Sequence, residues 1–342
     1  MRRGKRVGGA AVRKKRLGQS ELEVSVVSMG CWPLAGDATW GPQDEALSIA
    51  TVHAALDAGI NFFDTAESYS AGRSEEILGK ALAGRRHEAI IASKVSSSHL
   101  RPDDLKAACE GSLRRLGTDY LDVYYIHWPN PHVPIADTLG AMEELKQEGK
   151  IRVAACSNFG KRDLNALLAA GRVEANQLAY NLLFRAIEYE IQSVCAEHDI
   201  GITCYSPLAQ GLLTGKFRTL DEVPEGRART RHFSSARPGT RHGEPGAEVE
   251  VRAALARIRK VCDDAGVAMS QAALAWLLSR EAVASVIVSA RTPEQAIENA
   301  KAGSLQLHGD VLAELTAATE ELKEKLGPNA DMWESEANSR IR

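Results

Sequence analysis

Short apolar runs that end in a polar or small residue alternate along this chain with longer stretches of helical period. "VSVVSMG" (Val24–Gly30) is the first such run. "DEALSIATVHAALDAG", residues 44–59, is the first stretch whose apolar positions recur at helical spacing before a glycine stop. The alternation then repeats. Strands are predicted at "INFFD" (60–64), 88–95, 120–127, "IRVAACSNF", "EANQLAYN", "IGITCYSP" and "VASVIVSA". Helices are predicted over 73–84, with Ser74 as a possible cap, and over 101–117, where Pro102 and acids open the helix and Arg114 and Arg115 close it. Further helices are expected over 135–150, 161–171, 187–199, 248–266, 270–280 and 292–303, with one last helix over 309–327.

Eight strand-then-helix units in one chain fit a parallel (β/α)₈ TIM barrel better than an open sheet. "RLGQSELEV" precedes the first unit and reads as a β-hairpin around Gly-Gln-Ser. The long stretch 216–249, after strand 7, holds Pro, Gly and seven Lys or Arg, and is expected to be a lid or binding loop. The expected domain is one barrel over 14–327, flanked by a basic, disordered tail over 1–13 and a C-terminal tail over 328–342.

Composition narrows the function. The chain has 342 residues, 44% hydrophobic and 25% charged, with a net charge of −3. That balance supplies no bulk electrostatic case for nucleic acid or an anionic membrane. Eight Lys or Arg crowd residues 1–16 without an acid, but no apolar run follows to make a secretory signal. Six cysteines at 31, 109, 156, 195, 204 and 262 form no C-x-x-C pair and read as reduced core thiols of a cytoplasmic protein. No G-x-G-x-x-G follows a strand, "GLLTGKF" is one residue short of a phosphate loop, and no metal-ligand motif appears, so no metal is expected.

The polar residues at the strand ends carry the candidate chemistry. Asp64, Lys94 and His127 end successive predicted strands, and Ser157 with Asn158 ends the next. In a barrel these ends converge on one mouth. Tyr69 lies in the loop just after Asp64. A phenol is a poor acid at neutral pH, a nearby ammonium is expected to lower its pKa, and a carboxylate is needed to hold that ammonium charged. Asp64, Lys94, Tyr69 and His127 therefore read as a general-acid apparatus aimed at a carbonyl, with His127 hydrogen-bonding the reacting oxygen or relaying its proton.

The stretches "GINFFDTAESY", "IIASKV", "YYIHWPNP", "GKIRVAACSNF", "ANQLAYN", "CYSPLAQGLLTGKF" and "VIVSARTPEQAIENA" run in the order seen in aldo-keto reductases, a family this chain resembles over residues 14–305. The resemblance implies a (β/α)₈ barrel that reduces aldehydes and ketones with NAD(P)H, with Asp64, Tyr69, Lys94 and His127 as the catalytic tetrad; Arg291, just ahead of a helix start at Thr292 and Pro293, points to a preference for NADPH/NADP+. It implies that Ser157, Asn158 and Gln177 hold the nicotinamide carboxamide and that Tyr205 stacks on the ring, with Cys31, Trp32 and Asp64 also at the cofactor. Ser206, Pro207, Leu208, Ala209 and Gly211 would line the pyrophosphate with Lys216, and Arg227 would close over the adenosine. Ser289, Arg291, Gln295, Glu298 and Asn299 would meet the 2′-phosphate and adenine. Trp32, Tyr69, His127 and Trp128 would contact a small carbonyl substrate. The chain departs from the family pattern at Val288, Ser289 and Cys156. The alternative is a cofactor-loaded regulatory subunit like the potassium-channel β subunits, which have the same barrel.

Overall fold

A hairpin plugs one end of the barrel, and the other end is left open for chemistry. The computed structural model describes residues 12–342, so most of the basic segment 1–13 lies outside the described residues. β1 (Lys14–Arg16) and β2 (Glu23–Ser25) pair antiparallel, Lys15 opposite Val24. Their apolar side chains Leu17, Leu22 and Val24 pack against Phe62, Val123, Tyr125 and Val153 inside the barrel. Lys15 Nζ donates to Val283 O at the start of the last strand, at 2.9 Å. Val12 is buried too, and Arg13 Nε bonds Gly303 O, so these two residues belong to the packed structure rather than to a tail.

The barrel strands are β3 (Val27–Gly30), β4 (Phe62–Asp64), β5 (Ile90–Val95), β6 (Leu121–Ile126), β7 (Ile151–Ser157), β8 (Ala175–Ala179), β9 (Gly201–Tyr205) and β10 (Val283–Ser289). They close in the order β10-β3-β4-β5-β6-β7-β8-β9, every neighbour parallel. This is the (β/α)₈ barrel with its N-terminal hairpin. The helices are α1 (Glu45–Asp57), α2 (Arg73–Ala81), α3 (Pro102–Leu116), α4 (Ile135–Gln147), α5 (Lys161–Ala170), α6 (Ile191–Glu197), α7 (Glu248–Asp264), α8 (Met269–Leu278), α9 (Pro293–Lys301), α10 (Gly309–Ala317) and α11 (Glu320–Leu326).

Strand period explains which residues reach the mouth. Side chains alternate between the barrel interior and the helix layer. Phe62, Ala92, Tyr125, Ala155 and Ala175 face inward. Two residues further on, the same face presents Asp64, Lys94, His127, Ser157 and Gln177. Phe63 points the other way, into the core shared with the helices.

Five expectations are corrected. The run 24–30 is two strands, because Val26 leaves the hairpin for the barrel. The segment 187–199 is helical only from Ile191, after a 3-10 turn at Ala186–Glu188. The last helix is broken at Ala318 and Thr319. There Thr319 Oγ1 is buried, donates to Thr316 O and accepts from Arg185 Nη1, so a side chain reaching in from another loop ends α10. Ser74 does not cap α2: Gly72 holds that position, and the buried Ser74 hydroxyl donates to Cys31 O instead. The segment 328–342 does not hang free. Asp331 and Met332 are fully buried, Arg231 N donates to Met332 O, and Trp333 reaches the cavity at the mouth. No helix among the described residues is long and apolar enough to cross a membrane, and all six cysteines are free and buried.

Candidate active site

A cavity of about 860 Å³ opens at the C-terminal ends of the barrel strands. Its floor is tight at Gly30, where an added Cβ would stand 2.8 Å from Ser289 Oγ. Seven non-glycine residues among those described have positive φ, and six of them (Ser70, Ala71, Asn158, Ser206, Ala209, Gln210) lie in loops at this mouth. Such backbone is costly and persists where the surrounding contacts hold it.

Lys94 lies fully buried beneath the cavity. Its three ammonium protons each find an acceptor: Asp64 Oδ1 at 2.6 Å, Thr65 O at 2.7 Å and Tyr69 Oη at 3.0 Å. Asp64, itself buried, takes a second bond at Oδ2 from Gln177 Nε2, 2.8 Å away. Burial pulls the ammonium down, but Asp64 and Tyr69 together hold Lys94 above its ordinary pKa, so it stays charged. Tyr69 stacks on Trp32 with ring centroids 5.5 Å apart, and meets His127 edge-on at 5.8 Å. The Asp64, Lys94, Tyr69 and His127 side chains thus come together from four points of the chain.

The electrostatics correct two expectations. Burial raises the Tyr69 pKa above its ordinary value, and the opposing pull of Lys94 does not overcome it, because Asp64 partly cancels that pull. The phenol is therefore held protonated at neutral pH. His127 is pushed down to about 3 by burial and by the Lys94 charge. A neutral imidazole can hydrogen-bond an oxygen, but it does not exist as a charged relay at neutral pH.

The remaining candidates line the same cavity, with two qualifications. Ala209 is buried behind the wall and does not reach it. Arg291 faces the cavity, but three of its donors are already engaged: Nε on Gln43 Oε1, Nη1 on Trp40 O and Nη2 on Pro42 O. It clamps the loop 40–43. The groups expected to hold the carboxamide are interlocked as well: Ser157 Oγ donates to Gln177 O, and Asn158 Oδ1 accepts from Tyr205 Oη at 2.8 Å. Thr292 caps α9, its hydroxyl accepting from Gln295 N.

A dinucleotide suits the charge here. Burial, then the neighbouring Arg227, lowers the Lys216 pKa, and burial, then Arg291, lowers that of Arg227. Among the described residues no carboxylate pairs with any of the three, and Arg227 Nε is buried without a hydrogen bond. Mutually repelling cations facing a cavity are the donor set that a pyrophosphate or phosphate neutralises.

Sequence reasoning missed Trp40, Arg229, Thr230, Arg241, Trp333 and Arg340, all of which line the cavity. They lie in loops or in the segment 328–342, where no period marks a buried face.

A sequence model described as the aldo/keto reductase family matches residues 26–320. The chain belongs to the aldo/keto reductase family. It is 32% identical over 319 residues to an NADH-specific methylglyoxal reductase of Escherichia coli (strain K12), covering 86% of this chain and 95% of that protein. It is 34% identical over 308 residues to a probable voltage-gated potassium channel subunit beta of Arabidopsis thaliana, covering 84% of this chain and 90% of the relative. Among solved structures, an aldo-keto reductase from Klebsiella pneumoniae in complex with NADPH superposes with a TM-score of 0.72 at 28% identity, over 97% of this chain and 99% of that one. Members of the aldo/keto reductase family thus resemble this chain over most of its length.

Proposed function

We propose that this aldo/keto reductase reversibly reduces an aldehyde or ketone to its alcohol, with a nicotinamide cofactor as hydride donor and Tyr69 as proton donor. The observation that carries the reading is the buried Lys94 ammonium, bonded at once to Asp64 Oδ1 and Tyr69 Oη beneath a cavity faced by His127. The bound cofactor supplies the hydride to the carbonyl carbon. Tyr69 gives its proton to the carbonyl oxygen, and the phenolate left behind is stabilised by the Lys94 ammonium until solvent returns the proton. Neutral His127 donates a hydrogen bond to the same oxygen and fixes its position. In the reverse direction Tyr69 is the base.

Ser157, Asn158 and Gln177 orient the carboxamide, Tyr205 backs the ring, and Lys216 and Arg227 receive the pyrophosphate. NADPH is the preferred form in this reading. A guanidinium carries five donors, so Arg291 keeps two for a 2′-phosphate after clamping the loop 40–43. The NADH specificity named for one relative makes this preference the part to measure first. Following the loss of reduced-cofactor absorbance with NADPH and with NADH, over a panel of aldehydes, tests both levels. Turnover with neither cofactor overturns the function, and faster turnover with NADH overturns the preference. The same assay separates an enzyme from a channel-subunit role.

A further inference from the structure

Arg340 reaches the cavity from the segment 328–342 and is held there on two sides. Its guanidinium lies 3.8 Å from the centroid of Trp128, the residue that directly follows His127. One donor fork is taken by Asp331: Nε donates to Oδ2 at 2.8 Å and Nη2 to Oδ1 at 2.9 Å. Asp331 is fully buried, and its carboxylate also accepts from Trp333 N and Arg340 N. Both protons on Nη1 and the second on Nη2 have no acceptor among the described residues, and Nη1 remains accessible on a residue that lines the cavity.

We propose that the outer fork of Arg340, Nη1 with Nη2, receives a carboxylate on the substrate, so that the chain favours carboxylate-bearing aldehydes or ketones over neutral analogues. The inference rests on the carbonyl-reductase reading above. A planar two-donor edge matches a planar two-oxygen group, which is why the ligand is a carboxylate. The side chain is already fixed by Asp331 and Trp128, so little rotamer freedom remains to be lost on binding. Trp32, Trp128 and Trp333 offer apolar faces to the carbon skeleton between the two ends. Charge does not oppose the occupant. Arg241 is paired with Glu334, and Asp331 is answered by Arg340 itself. Arg229 also lines the cavity and has no ion-pair or hydrogen-bond partner among the described residues, so a positive charge remains for the incoming anion.

The test is steady-state kinetics on matched pairs: succinic semialdehyde against pentanal, and para-carboxybenzaldehyde against para-tolualdehyde. The parent should favour the carboxylate member of at least one pair by about 10- to 100-fold in kcat/KM, carried by KM. Arg340→Met should remove most of that ratio. Arg340→Lys, which keeps the charge but loses the fork, should retain part of it. Should Arg340→Met fail to fold, Arg340→Lys and the salt dependence still decide, because the preference must shrink as ionic strength rises. Absence of preference in the parent, or an equal loss for both members of a pair, overturns the inference. If neutral aldehydes turn over without a carboxylate preference, this inference alone fails. If no carbonyl is reduced, the proposed function fails and takes the inference with it.

Discussion

Replacing Lys94 by Met removes a fully buried ammonium with three hydrogen bonds and leaves a side chain of similar length. The buried Asp64 carboxylate loses the partner 2.6 Å away and keeps one bond, from Gln177. At an effective dielectric of about 20, a pair at that distance attracts by about 6 kcal/mol. The ammonium's own desolvation cost disappears with it, so the expected net loss of stability is about 3–5 kcal/mol, as for other buried pairs broken on one side. Thr65 O and Tyr69 Oη lose a donor as well. Urea unfolding, with the midpoint and slope compared with those of the parent, reads the loss directly. The double variant Asp64→Asn with Lys94→Met removes both charges, and should recover about 2 kcal/mol or more of it. Carbonyl reduction should stay low in both variants, because the phenolate formed on proton donation has no cation beside it. A single variant within about 1 kcal/mol of the parent, or a double variant no more stable than the single one, would refute the assignment of Asp64 as the counter-ion that Lys94 requires.

Tyr69→Phe keeps the ring against Trp32 and loses the proton, so reduction should fall by about 10²- to 10⁴-fold with cofactor affinity nearly unchanged; near-normal turnover would assign the proton to another group. Because the folded Tyr69 pKa lies above its ordinary 10.0, reduction should be level from about pH 6 to about pH 9. Alcohol oxidation, which needs the phenolate, should climb with pH and reach no plateau below about pH 10; a plateau near neutrality would show the phenol to be depressed after all. Arg291→Ala should weaken NADPH by about 1.5–3 kcal/mol through lost phosphate bonds. It should also raise KM for the carbonyl, because the loop that carries Trp40 loses its clamp; an effect confined to KM, and equal for NADH and NADPH, would leave Arg291 as a support for that loop alone.

Much of this molecule is written at the level of period. Apolar runs cut short by Asp64, Lys94 and His127 announce eight strands, because a strand buried on both faces needs continuous apolar sequence until it reaches solvent. The same period of two that buries Phe62 and Tyr125 places Asp64 and His127 on the inner face. That Asp64, Lys94 and His127 would meet at one mouth was therefore legible as soon as the strands were closed into a barrel. Strand boundaries and helix breaks were less so, since Thr319 ends α10 through a bond from Arg185, a residue far away in the chain.

What only the tertiary structure decided depends on distance and burial, which no spacing in the chain encodes. Lys94 beside Tyr69 suggests a depressed phenol, yet the desolvation of the same pocket outweighs one ammonium that is already shared with Asp64. Arg291 reads as a free phosphate ligand, yet its donors fit the carbonyls of a loop some 250 residues earlier, at Trp40 and Pro42. Trp333 and Arg340 read as part of a tail, since an isolated aromatic and an isolated cation have no period to betray a buried face. Their place at the mouth is set by the buried carboxylate of Asp331, which must be paired once the fold removes it from water.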